Sequence, residues 1–136
     1  MWTKACIFDL DGVIVDTAKY HFLAWKKLAD QLNIAFTEND NERLKGVSRM
    51  DSLEIILEIG KVRLSGNMKR EYAQLKNEWY VGYISRMTPD EILPGSIEFI
   101  NELKGAGIRT AIGSASKNTQ MILERLGIKY LFDAVA

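Results

Sequence analysis

The sequence predicts an α/β protein, an open parallel sheet with an all-helical unit inserted behind its first strand. Three observations carry that expectation. Ala5-Cys6-Ile7-Phe8 is a short apolar run that stops at a carboxylate, Asp9, as a buried strand of a parallel sheet does. From residue 17 to residue 86 the apolar side chains recur three and four apart, the period of a helix. After residue 87 the pattern becomes helix, apolar run, helix, apolar run, the alternation that builds parallel sheets. Residues 1–16 and 87–136 are therefore the expected sheet unit, and residues 17–86 the expected helical unit.

Thr3 to Phe8 is the expected first strand, buried on both faces. A helix begins at Thr17, capped by Asp16 or Thr17, and carries Phe22, Trp25, Leu28, Ala29 and Leu32. Phe36-Thr37-Glu38 breaks it, and Asp40 to Leu44 makes a short helix. Gly46-Val47-Ser48 is a turn whose serine caps the next helix, through Leu53, Ile56 and Leu57 to Gly60. Ser65-Gly66-Asn67 interrupts again, and Met68 to Arg86 forms a long helix bearing Tyr72, Leu75, Trp79, Tyr83 and Ile84. Trp25, Trp79, Tyr72 and Tyr83 read as the core of the helical unit rather than as a stacking platform for a ligand. Leu93-Pro94-Gly95 is a turn, and Ser96 caps a helix that turns Ile97, Ile100 and Leu103 inward and ends at Gly105 to Gly107. Ile108 to Gly113 is the second strand, Lys117 to Leu126 a helix closed by Gly127, and Phe132 to Ala136 a third short strand. A sheet that stops there leaves its last strand as an open edge, so the expectation is a piece of a longer protein.

Formal net charge is zero, without a long run of either sign, which leaves no footprint for nucleic acid and no basic patch for an anionic membrane. An apolar fraction of 47% and a charged fraction of 26% are those of a packed globular protein. No apolar stretch approaches membrane-spanning length, and the amino terminus lacks the basic segment and long apolar core of a secretory signal. The single cysteine, Cys6, lies in the first apolar run and reads as a buried core residue. It cannot form an internal disulfide, so a reducing cytoplasm is the expected compartment.

Phe8-Asp9-Leu10-Asp11-Gly12 sets two carboxylates two residues apart. On an extended segment they point the same way, at the carboxyl end of a strand, where open α/β sheets bind ligands. Two carboxylates in one space cost free energy unless a metal ion or phosphate chemistry uses them.

Phe8 to Val13 resembles the first motif of the haloacid dehalogenase superfamily of phosphotransferases, and the whole chain resembles the opening part of the β-phosphoglucomutase family within it. The resemblance rests on Phe8 to Thr17, Tyr20 to Lys26, Leu44 to Arg49 with Ser52-Leu53, Lys76-Asn77, Leu93-Pro94-Gly95 and Gly113 to Asn118. It implies a Rossmann-like core, incomplete at its carboxyl end, with a helical cap. It also implies a Mg²⁺-dependent interconversion of β-D-glucose 1-phosphate and glucose 6-phosphate through a bound glucose 1,6-bisphosphate.

By the same resemblance Asp9 is the nucleophile that becomes an aspartyl-phosphate, and a metal ligand. Asp11 is the general acid and base, and gives its backbone carbonyl to the metal. Ser114 and Ala115 hold the transferring phosphoryl group, at a loop leading into a helix amino terminus. Arg49 grips the other phosphate, since guanidinium matches phosphate oxygens, within Lys45-Gly46-Val47-Ser48-Arg49 and beside Ser52. Ser116, Lys117 and Asn118 form the core side of that grip. Lys76 faces the sugar. His21, the only histidine, is either a site residue or an orienting residue near the cap hinge.

The superfamily's third motif supplies a lysine and its fourth supplies acidic metal ligands, and both would follow Ala136. Phosphoryl transfer depends on such charge neutralisation, so this chain alone is expected to turn over weakly or not at all. Two alternatives stay open: a sugar-phosphate phosphatase of the same superfamily, with water as acceptor, and a non-catalytic module that self-associates through its open strand edge. The parent protein is expected to be a monomer with a small sugar phosphate as its partner.

Overall fold

The computed structural model describes residues 2–136. Its elements in chain order are β1 (Ala5–Phe8), α1 (Ala18–Gln31), α2 (Glu38–Glu42), α3 (Arg49–Gly60), α4 (Gly66–Ile84), α5 (Ser96–Gly105), β2 (Arg109–Ile112), α6 (Thr119–Leu126) and β3 (Ala134–Val135), with short 3-10 turns at Pro89–Glu91 and Lys129–Leu131. Two compact units result: Met1–Ala18 with Tyr83–Ala136, and Lys19–Gly82. Among the described residues no helix is long and apolar enough to cross a membrane.

The first unit is α/β, as the alternation of residues 87–136 implies. Its strands form a parallel sheet in the order β1-β2-β3, with Ala5 opposite Arg109, Phe8 opposite Ile112, and Ile112 opposite Val135. The strands are laid down in one direction, and crossovers between parallel strands are right-handed, so α5 and α6 cover the same face. On that face Phe8 meets Phe99 and Phe132 edge-on at centroid distances of 5.9 and 6.3 Å. Thr110 and Ile112 are buried there, and the Thr110 hydroxyl donates to the Leu131 carbonyl at 2.6 Å.

The opposite face carries Ala5, Ile7 and Arg109, all exposed, Ile7 to 74%. This corrects the expectation of a first strand buried on both faces. A continuous apolar run suits a strand covered twice, and the described residues cover it once. Cys6, expected in the core, is half-buried. The strands are also shorter than their apolar runs. Phe132 is buried before β3 begins, and Asp133 starts the pairing by donating its N–H to the Thr110 carbonyl. At α5, Ser96 is not the cap. Gly95 takes that position at φ +86°, and the Ser96 hydroxyl donates to the Val13 carbonyl at 2.8 Å.

The second unit packs one apolar cluster: Trp25, Leu28 and Ala29 of α1, Ile34, Phe36, Leu44, Leu53, Ile56 and Leu57 of α3, and Ala73 of α4. Ser48 caps α3 as expected, its Oγ accepting the Asp51 N–H. The Ala18 N–H at the start of α1 donates to Asp16. Two helices start earlier than expected. Thr37 caps α2 and closes a capping box with Asp40. The Met68 N–H donates to Ser65 Oγ, so α4 begins at Gly66. The buried side chains of α4 are Ala73, Lys76, Tyr80 and Ile84, while Tyr72 and Trp79 only flank the cluster and Tyr83 falls in the α/β unit. The expected apolar stripe is thus shifted by one residue, because the inward face contains a lysine.

Candidate active site

At the end of β1 the chain turns at once. The Asp9 carboxylate accepts the Leu10 N–H at 2.8 Å, and the Leu10 carbonyl accepts the N–H groups of Ile14 and Val15. Gly12 adopts φ +78°, a left-handed conformation that glycine takes without strain. Asp11 therefore sits on the turn and not on the strand. The Thr17 N–H, donating to Asp11 Oδ1 at 2.8 Å, fixes its orientation, which corrects the expectation that strand pleating aligns the two carboxylates. Both acids are exposed, and each accepts one backbone N–H of the loop through a carboxylate oxygen.

Beyond β2, Gly113 donates its N–H to the Phe8 carbonyl, so it stands level with Asp9 at the carboxyl edge of the sheet. Ser114 donates its N–H to the Ala136 carbonyl, and its Oγ accepts the Ser116 N–H. Ser116 Oγ accepts the Asn118 N–H, and the Thr119 hydroxyl donates to the Ser116 carbonyl. These serine turns delay α6 to Thr119, two residues after the expected start at Lys117. They leave Ala115, Ser116 and Lys117 exposed on the loop. The parallel strands thus bring Asp9, Asp11 and residues 114–118 to one end of one sheet, where such sheets take ligands.

Two carboxylates suit Mg²⁺, which takes one or two and fills its octahedron with waters and phosphate oxygens. Among the described residues no group of three or more His, Cys, Asp or Glu could hold a metal. The two acids are oxygen donors of the kind that Mg²⁺ takes.

The helical unit builds a second constellation. Residues four apart share a helix face, so His21 and Trp25 project together from α1, and Lys76 and Tyr80 from α4. Lys76 is 4% exposed, and its Nζ lies 2.9 Å from His21 Nδ1. The same ammonium sits over the Trp25 ring at 4.6 Å and the Tyr80 ring at 4.9 Å. His21 stacks on Tyr80 with centroids 4.0 Å apart. Arg49, the first residue of α3, donates from Nη2 to Asn77 Oδ1 at 2.9 Å. Burial, then the neighbouring Arg49, lowers the Lys76 pKa to about 7. Burial, then Lys76 and Arg49, lowers that of His21 to about 3. Burial and the two neighbouring cations thus favour the neutral form of His21.

The other expected residues of this unit serve the turn before α3. Lys45 forms an exposed ion pair with Glu42 at 2.9 Å. Gly46 adopts φ +74°, and Val47 donates its N–H to the Leu44 carbonyl. Ser48 caps the helix, and buried Ser52 donates to the Val47 carbonyl at 3.5 Å. Arg49, Lys76 and His21 come together. Sequence reasoning took Trp25 for core alone and passed over Tyr80, although both stand four residues from a titratable group.

Comparison with known proteins gives a consistent family. The model of the haloacid dehalogenase-like hydrolases matches residues 3–136. The chain is 47% identical over 134 residues to the β-phosphoglucomutase of Bacillus subtilis (strain 168), covering 97% of this chain and 59% of that protein. It is 27% identical over 135 residues to the phosphorylated carbohydrates phosphatase of Thermotoga maritima, covering 97% and 60%. Among solved structures, a β-phosphoglucomutase from Clostridium difficile is similar at a TM-score of 0.88 and 44% identity, covering 99% of this chain and 61% of that one. The chain therefore spans about three-fifths of the length of these relatives.

Proposed function

The chain belongs to the haloacid dehalogenase-like hydrolase family, and from that premise we propose a phosphomutase that interconverts β-D-glucose 1-phosphate and glucose 6-phosphate through an aspartyl-phosphate and glucose 1,6-bisphosphate. The observation that carries the reading is the Arg49–Lys76 constellation. Two basic side chains stand together, one of them buried, and among the described residues neither has a carboxylate partner. Such a pair calls for an anion from outside. A mutase handles a bisphosphate and needs a second phosphate grip, whereas a phosphatase needs one.

In this reading a carboxylate oxygen of Asp9 attacks phosphorus. The bond from phosphorus to the donor sugar oxygen breaks, and Asp11 delivers a proton to that oxygen. In the second half Asp11 takes the proton of the acceptor hydroxyl, whose oxygen attacks phosphorus while the acyl-phosphate bond breaks. The bond from the Thr17 N–H orients Asp11 for both transfers. The Ser114 hydroxyl and the loop at Ala115 hold the transferring phosphoryl group. On the helical unit Arg49, with Lys45 to Ser48 and Ser52 behind it, grips the other phosphate, and Lys76 and His21 face the sugar; on the α/β unit Ser116, Lys117 and Asn118 are the phosphate-binding residues of the loop after β2. Mg²⁺, held by the Asp9 carboxylate and the Asp11 carbonyl, supplies neutralisation of phosphoryl charge. The free thiol of Cys6 suits a reducing cytoplasm.

The test follows β-D-glucose 1-phosphate by ³¹P NMR with Mg²⁺ and a trace of glucose 1,6-bisphosphate. Slow formation of glucose 6-phosphate, abolished by Asp9→Asn, is the expected result. Inorganic phosphate as the sole product would move the assignment to a phosphatase, the activity named for the Thermotoga maritima relative. One observation favours a further role for this chain: the uncovered sheet face around Ile7 supports self-association.

A further inference from the structure

Lys76 is buried without a counter-charge. The groups that face it are His21 and Trp25 from α1, Arg49 from α3, and Tyr80 from its own helix, and Asn77 beside it holds the Arg49 guanidinium. Among the described residues no carboxylate pairs with Lys76, His21 or Arg49. One neutral acceptor and two aromatic faces are a thin return for a desolvated ammonium, and the guanidinium opposes it further. Near pH 7 the side chain therefore exists both as the amine and as the ammonium. A dianion arriving beside Arg49 reverses the balance, because it attracts the charge that Arg49 repels.

We propose that anion capture by the helical unit is proton-coupled: a dianion of the phosphate class, seating beside Arg49, draws a proton from solvent onto Lys76 Nζ, with His21 Nδ1 accepting one of the ammonium hydrogens. The inference rests on the reading of Arg49 as the phosphate grip, and adds that the second cation of the grip is made by the ligand. The empty unit is spared two uncompensated charges, and a monoanion or neutral sugar gives too little field to load the lysine. The sign follows from linkage. Binding is tightest below pH 7, where Lys76 already holds its proton. Above that the affinity falls by about tenfold per pH unit until the pH passes the raised pKa of the complex.

Sulfate is the suitable probe, since it is a dianion that does not itself titrate near neutrality. Calorimetric titration of the unaltered 136-residue chain at pH 8, in two buffers of different ionisation heat, is expected to show uptake of close to one proton per sulfate. In parallel, the Lys76 side-chain carbon resonance is expected to titrate near pH 7 in the free chain and higher with sulfate. Sulfate that binds through Arg49, lost in Arg49→Ala, but with equal affinity at pH 6 and pH 8 and no proton uptake, would overturn the coupling and leave the phosphate grip standing. Absence of sulfate binding, or binding indifferent to Arg49→Ala, overturns both.

Discussion

At Gly60 the packing leaves no room for one added carbon. A Cβ there would lie 2.3 Å from Ile34 Cγ1, and Ile34 is buried in the helical core. Gly60→Ala is therefore expected to cost about 1–3 kcal/mol by overpacking. At Gly82, also in a helix, a Cβ meets nothing within 4 Å, and Gly82→Ala is expected to gain about 0.5–1 kcal/mol. Urea denaturation of the two variants checks opposite signs from one substitution type. The buried pair adds a pH dependence. The unfolded chain binds a proton at His21 below its ordinary pKa of 6.5, whereas the folded one resists until about 3, so folding stability falls as pH drops through that window. For Lys76 the window runs from about 7 to 10.5, and stability rises with pH across it. Denaturation midpoints in a pH series should show both limbs, and Lys76→Met should flatten the alkaline one. The sequence singled out His21, Arg49 and Lys76, but not their surroundings. That Lys76 is buried against His21 and Trp25 of another helix is a tertiary fact that spacing along α4 does not carry.

Among the helices, legibility followed the chemistry of the ends. α3 was placed correctly because Ser48 is a strong cap and Gly60 marks the stop, after which Lys61 adopts φ +53°. α2 was misplaced because its capping box closes with Asp40 where glutamate is the common partner. α5 was misread at Ser96, whose hydroxyl is spent on the carbonyl of Val13, 83 residues earlier, a partner that no local pattern reveals. Thr37→Ala should remove the α2 cap at a cost of about 1 kcal/mol, read as faster amide exchange at Asp40 and a lower urea midpoint.

At the scale of the α/β unit, the alternation after residue 87 was enough for the fold class. It was not enough for coverage, which depends on strand order and crossover hand taken together. The face bearing Ile7 stays bare, as does the 90% exposed Trp2 nearby in the chain. Light scattering is expected to show association that rises with concentration and weakens in Ile7→Lys. A clean monomer at all concentrations would count against it.

The pairing of Ala5 with Arg109 also has a kinetic meaning. During synthesis β1 waits for a partner that emerges about a hundred residues later, and closing so long a loop is slow. The intervening Lys19–Gly82 is contiguous and helical, built from local contacts that form fast. Once folded it shortens the effective loop, since its two ends then move as one body. Pulse-labelled hydrogen exchange should find amides of α3 and α4 protected before those of β1, which makes the helical insertion the clock that sets when the carboxylate loop can assemble.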